Sequence, residues 1–168
     1  SKPTYDQPSR CWLMTRMTTI DSSNLNGGEK TVTEFEYESP HYDRYERTSY
    51  GYAVVKTKHV NHADNSIYRI IERDYNNKDI LRQGKLTREL TSDGNGNRYI
   101  EKIMESTYVD YTDGHIVGDT SCPGMAYPAI VANLVRYYEG DSTSQLTVAE
   151  SYEYDRYHNI VRYTDMGD

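Results

Sequence analysis

Carboxylates, imidazoles and thiols are the groups with chemistry to offer in this sequence, and their spacing decides whether they offer it. Glu34, Glu36, Asp43, Glu46, Glu150, Glu153 and Asp155 lie near enough to one another to supply the paired carboxylates of a glycosidase. Acids two residues apart on an extended chain share one face, however, and a chain with 26 Asp and Glu produces such pairs by chance. A solvated strand face is the simpler account. His59, His62 and Asp64 come nearest to a metal set. Two imidazoles three residues apart on an extended chain do not converge, and no distant third ligand is indicated.

Three further motifs fail in detail. Asp93, Asn95 and Asn97 alternate as in a calcium loop, but Arg98 stands where glycine is required and Met104 where a bidentate glutamate is required. NGGEKT, from Asn26 to Thr31, has a glutamate between Gly28 and Lys30, lacks the upstream glycine of a phosphate loop, and precedes a strand pattern. Cys122 with His115 makes a thiol and imidazole pair on paper, yet free cysteines are usually inert. No serine sits in a Gly-x-Ser-x-Gly elbow. These residues therefore predict no catalytic group, no metal and no cofactor: a chain that is not an enzyme.

The elements that would position any site are strands. TVTEFEYES, from Thr31 to Ser39, sets Thr33, Phe35 and Tyr37 on one face and Val32, Glu34, Glu36 and Glu38 on a wet, acidic other. NLNGGEK supplies a turn back to a strand around Trp12 to Ile20. Strand patterns recur over Tyr50 to Val60, Ile67 to Tyr75, GKLTRELTS and RYIEKIMESTYVDY, the last two flanking SDGNGN, whose Asp-Gly and Asn-Gly pairs favour a hairpin. In AIVANLVRYY, Ile130, Val131, Leu134 and Val135 also fit one helical face, but Pro128, the tyrosines and the following Glu-Gly-Asp favour a strand. QLTVAESYEYD and Ile160 to Tyr163 complete about nine short strands. The expected class is all-β: antiparallel hairpins in an open or curved, twisted sheet, with a β-sandwich as the alternative.

Composition narrows the partners. The chain has 168 residues, one domain's worth, and 19 Lys and Arg against its acids give a net charge of −7. A nucleic-acid backbone would on average be repelled. No apolar run is long enough to cross a bilayer as a helix, and the first dozen residues lack a secretory pattern. Eighteen tyrosines stand against one Phe and one Trp. A tyrosine ring packs while its hydroxyl stays wet, which suits a sheet with two partly solvated faces better than a thick dry core. Cys11 and Cys122 could close one disulfide in an oxidising compartment, with two ordinary free thiols the favoured account.

The last stretch, SYEYDRYHNIVRYTDMGD, reads as a self-contained hairpin in which Tyr152 and Tyr154 share a face and Asp155 begins the turn by accepting backbone N–H groups two residues on. It resembles a YD repeat of the Rhs and YD-repeat family: Tyr154-Asp155, Asn159 and Thr164-Asp165 match, while His158 stands where glycine is usual. A second stretch, TEFEYESPHYDRYERTSYGYAVV, is similar to part of large Rhs-type toxins and of the B components of toxin complexes through Tyr42, Asp43, Arg44, Glu46, Arg47, Tyr50, Gly51 and Tyr52. We thus expect one all-β segment over 1–168, a toxin-shell-like lead-in over 31–60 and one YD repeat over 151–165. The resemblance implies a spiral of hairpins forming a hollow shell around a carboxyl-terminal effector, in a secreted or surface-displayed bacterial protein, with the rest of a larger polypeptide and that effector as partners. It also implies self-processing after the last repeats and a variable terminal effector in the family, neither of which is expected within these residues. The competing expectation is a tyrosine platform for a glycan or a surface receptor. A shell segment predicts exposed strand edges, with edge-to-edge self-association or an edge masked by charges, and no cluster of buried titratable groups.

Overall fold

The structure is a computed structural model that describes residues 11–20, 30–77, 79–110, 114, 116 and 126–167. The turn at 21–29, the NGGEKT motif before Lys30, and both Cys122 and His115 lie outside the described residues, as does any pairing of the two cysteines. The described residues form nine strands: β1 Arg16–Ile20, β2 Lys30–Asp43, β3 Thr48–Asn61, β4 Ile67–Asn76, β5 Lys85–Ser92, β6 Arg98–Asp110, β7 Ala126–Tyr137, β8 Leu146–Tyr154 and β9 Ile160–Asp165. They make one antiparallel sheet ordered β1 to β9 as in the chain, and it does not close on itself. There is no second sheet among them, so the sandwich alternative falls away. The strands are also longer than expected, β2 and β3 reaching 14 residues each.

Local sequence explains the path. β-branched and aromatic residues fill the strands, and Asp or Asn opens each short turn. Asp43 Oδ1 accepts from the amides of Tyr45 and Glu46, Asn61 Oδ1 from Ala63, and Asp79 Oδ1 from Leu81 and Arg82. The residues that close several of these turns have positive φ, among them Arg47, Gly84, Gly96 and His158. The segment with mixed helix and strand signals is β7, and its pairing with β6 from Ala126 to Tyr137 decides it: the ladder supplies partners to backbone groups that a short helix would leave open at its ends.

The core is thin and split. Val32 and Val60, directly paired across β2 and β3, are buried at one end of the sheet. Val109, Tyr127 and Ala129 form a second cluster at the other end, with Tyr154 packed against it. The strand β2 shows why simple alternation misleads: Val32 was expected on the wet face with its glutamates and is 1% exposed. Both outer strands, β1 and β9, are exposed along their whole length.

Candidate functional site: two faces of one sheet

Directly opposed residues in an antiparallel sheet point to the same side, so the register assigns the faces. One row runs Glu36, Lys56, Glu72, Leu90, Glu101, Arg136 and Thr147 from β2 to β8. Charges of alternating sign along it and its neighbours are joined by ion pairs. Lys56 Nζ lies 2.7 Å from Glu38 and 3.4 Å from Glu72. Arg88 reaches Glu72 at 2.9 Å, Asp74 at 3.1 Å and Glu101 at 2.7 Å. Glu101 in turn accepts from Arg136 at 3.3 Å and from the Tyr138 hydroxyl at 2.8 Å. Lys58 pairs with Glu36 beside them. The result is a lattice of acid and base that crosses six consecutive strands, β2 to β7.

Glu101 is its anchor, only 6% exposed. Burial pushes its carboxyl up, but Arg88, Tyr138 and Arg136 outweigh burial and hold it below the ordinary glutamate range. The charged members Lys56, Glu72, Asp74, Arg88 and Arg136 are partly exposed, so Glu101 and the Tyr138 hydroxyl are the buried members of an otherwise half-solvated lattice. A solvated strand face was the right reading of Glu34, Glu36 and Glu38 individually; the partners on β3 to β7 are what sequence reasoning missed. Their one signal was that successive strand patterns carry charges of opposite sign, Glu in TEFEYE, Lys in KTK, acids in IERD. Only the register brings those positions side by side.

The opposite face is mainly aromatic and aliphatic, with one ionic strip in which Arg73 lies 2.7 Å and Lys102 3.8 Å from Glu89. Phe35, Thr57, Ile71, Thr91, Ile100, Tyr137 and Leu146 form one row. Near β8 and β9, Tyr152 and Tyr163 lie opposite each other with ring centroids 5.6 Å apart. Both hydroxyls donate to Glu150, at 2.7 and 3.1 Å, and Asn133 Nδ2 donates to the Tyr152 oxygen at 3.0 Å. These bonds, that of Tyr152 first, hold the Glu150 carboxyl below its usual range, so it stays an acceptor.

The residues singled out in the sequence occupy turns and strand ends. Asp155 Oδ1 accepts from the amides of Tyr157 and Asn159 at 2.8 and 2.9 Å, and Asn159 Nδ2 donates to Oδ2 at 3.0 Å. His158 has φ of 71° and stacks on Tyr127 with centroids 3.4 Å apart. The Tyr154 hydroxyl donates to the Ile130 carbonyl, Thr164 lies opposite Ser151, and Asp165 accepts from Gly167. In the other stretch Tyr42 pairs with Ser49, Tyr50 is buried against His41, Gly51 has φ of 83°, and the Tyr52 ring lies 5.1 Å from Tyr37. Arg44, Glu46 and Arg47 are exposed in the turn that Asp43 caps. The two stretches are not brought together: one bounds β2 and β3, the other β8 and β9.

Asp64 commits its carboxylate to the amide and hydroxyl of Ser66, and His59 sits by Tyr68. Among the described residues no three His, Cys, Asp or Glu side chains are placed to hold a metal ion. The loop Asp93 to Asn97 is a hairpin turn in which Asp93 accepts from the amides of Asn95 and Asn97 and from Asn97 Nδ2. That is the bonding pattern of Asp155.

No protein-family model matches the sequence, and no curated protein matches it. Solved structures do match in three dimensions. The chain is similar to TcdB2-TccC3-TEV with a TM-score of 0.68 at 13% identity, over 95% of this chain and 10% of that one. It is similar to TcdB2-TccC3 without its hypervariable C-terminal region with a TM-score of 0.67 at 12% identity, over 89% of this chain and 9% of that one. TcdB2-TccC3-Cdc42 gives 0.63 at 13% identity, over 81% and 9%. The sheet therefore has the fold of a segment of these toxin-complex structures, and spans about a tenth of their length.

Proposed function

We propose that this chain is a non-catalytic stretch of β-shell from a longer secreted or surface-displayed bacterial protein, and that the shell encloses or presents a carboxyl-terminal effector. The observation that carries the reading is the sheet itself: nine strands in chain order, open at both edges, with the fold of a segment of the toxin-complex structures. A sheet that ends in unpaired strands is built to be continued by more chain. Two half-solvated faces, one ionic and one aromatic, suit a wall with contents on one side and solvent on the other better than a self-sufficient core.

The tyrosine-platform reading gains no comparable support. The exposed Tyr45, Tyr68, Tyr99, Tyr157 and Tyr163 are spread along the sheet from the β2–β3 turn to β9.

The test is protease protection in the longer polypeptide. Residues that follow the shell should resist digestion until the sheet is interrupted, for example by proline placed within β5; digestion at the same rate in both forms would sink the proposal. For the isolated chain we expect reversible self-association through β1 and β9, and a strict monomer at high concentration in analytical ultracentrifugation would count against open edges.

A further inference from the structure

We infer that the ion-pair lattice across β4 to β7 is an acid-sensitive clasp: the sheet stays joined there through mild acidification and parts there first, ahead of β8 and β9, once the carboxylates take up protons. The inference concerns the sheet alone and does not rest on the shell reading.

Geometry localises the effect. Arg88 on β5 is held by Glu72 and Asp74 of β4 on one side and by Glu101 of β6 on the other. Glu101 is faced by Arg88 from β5, and by Arg136 and Tyr138 at the end of β7. Lys56 on β3 completes the row against Glu72, and Glu105 is the next acid along β6 on that side. Protonation of Glu72, Asp74 and Glu101 leaves Lys56, Arg88 and Arg136 as a strip of like charge on neighbouring strands, with Arg88 only partly exposed to water. The pair β8 and β9 answers to acid differently: its cross-strand ion pair, Arg162 with Glu153, is exposed, while Glu150 accepts from the Tyr152 and Tyr163 hydroxyls and Asp155 from Asn159 and backbone amides, neutral donors that leave no strip of like charge when those carboxylates are protonated.

The pH window follows from sign. The Glu101 carboxyl titrates below its ordinary value when folded, so its contribution is complete above the unfolded-state range near pH ~4 and is lost as pH falls through that range toward the folded value. Histidine does not move the window up, since His59 lies on the other face of the sheet, opposite Thr33, and burial together with Arg69 and Arg73 keeps its imidazole neutral to lower pH.

Hydrogen exchange with mass readout, corrected for intrinsic rates, decides it. Between pH 7 and pH 3.5, amides of β4 to β7 should lose protection by about tenfold more than those of β8 and β9. Glu101→Gln should show part of that loss already at pH 7, and Glu153→Gln none. Loss spread evenly over the sheet, loss in β8 and β9 first, opening already by pH 5.5, or a Glu101→Gln profile identical to the parent at pH 7 would each overturn the clasp. Should Glu101→Gln fail to fold, Asp74→Asn carries the same prediction with a smaller shift.

Discussion

The hairpins turning at Asp93 to Asn97 and at Asp155 to Asn159 follow one path with different residues. In each the aspartate accepts from the amides two and four residues on, the asparagine amide returns to the same carboxylate, and the register slips by one residue just before the turn. The first carries Gly96 at φ of 89°, the second His158 at 71°. The first lies inside the sheet, beside the ionic lattice; the second forms the exposed edge. The comparison shows that the aspartate and asparagine clamp sets the turn. Glycine is needed only where another constraint demands it. His158 supplies a compensation for its strained backbone that Gly96 does not need, its stack on Tyr127.

The sharpest way to separate the two turns is at their second position. A Cβ on Gly94 would stand 1.8 Å from the Ile67 carbonyl oxygen, backbone that cannot swing aside, whereas the equivalent Arg156 is exposed. Gly94→Ala should cost about 3 kcal/mol or more in urea unfolding, and Arg156→Ala should stay within about 0.5 kcal/mol. Comparable effects would mean that the loop does not rest against β4. Next in size is Glu101→Gln, which keeps a side chain of the same shape but strips the charge facing Arg88 and Arg136; about 2 kcal/mol should be lost, with the exchange pattern of β5 and β6 changed and that of β9 untouched.

Asp93→Ala and Asp155→Ala test the shared clamp. Both should lower the urea midpoint, and by similar amounts, because the bonds removed are the same three; a much larger loss at Asp93 would place its importance in the lattice around it. Smallest is the substitution of His158. Both His158→Gly and His158→Ala lose the stack, but glycine alone relieves the positive φ, so the alanine variant should be the less stable of the two by about 1 kcal/mol. Equal stabilities would show that the turn relaxes away from this conformation.

Strands were legible because tyrosine, threonine and valine alternate with charge over long enough runs, and turns because Asp, Asn and Gly punctuate them. Even β7 was readable from Pro128 at one end and Glu139-Gly140 at the other. The lattice was not, since the ion pairs from β4 through Arg88 on β5 to β6 depend on register, which a one-residue slip would reverse. SDGNGN carried the same Asp, Gly and Asn spacing as the final repeat, yet its likeness to YDRYHN was hidden by the histidine and by the absence of a preceding tyrosine. Buried Tyr108 was hidden too: its hydroxyl donates to Asp79 across 29 residues, a contact made by the loop between β4 and β5 folding over β6.

Chain-order strand pairing has a thermodynamic consequence. Substantial contacts join only strands adjacent in sequence, so the sheet approximates a one-dimensional array with nearest-neighbour coupling. Such an array has no privileged length. A hairpin gained or lost by duplication or deletion changes its free energy by one unit and one interface, leaving the remaining couplings intact, and at neutral pH, with the carboxylates charged, unfolding should begin by fraying from either end.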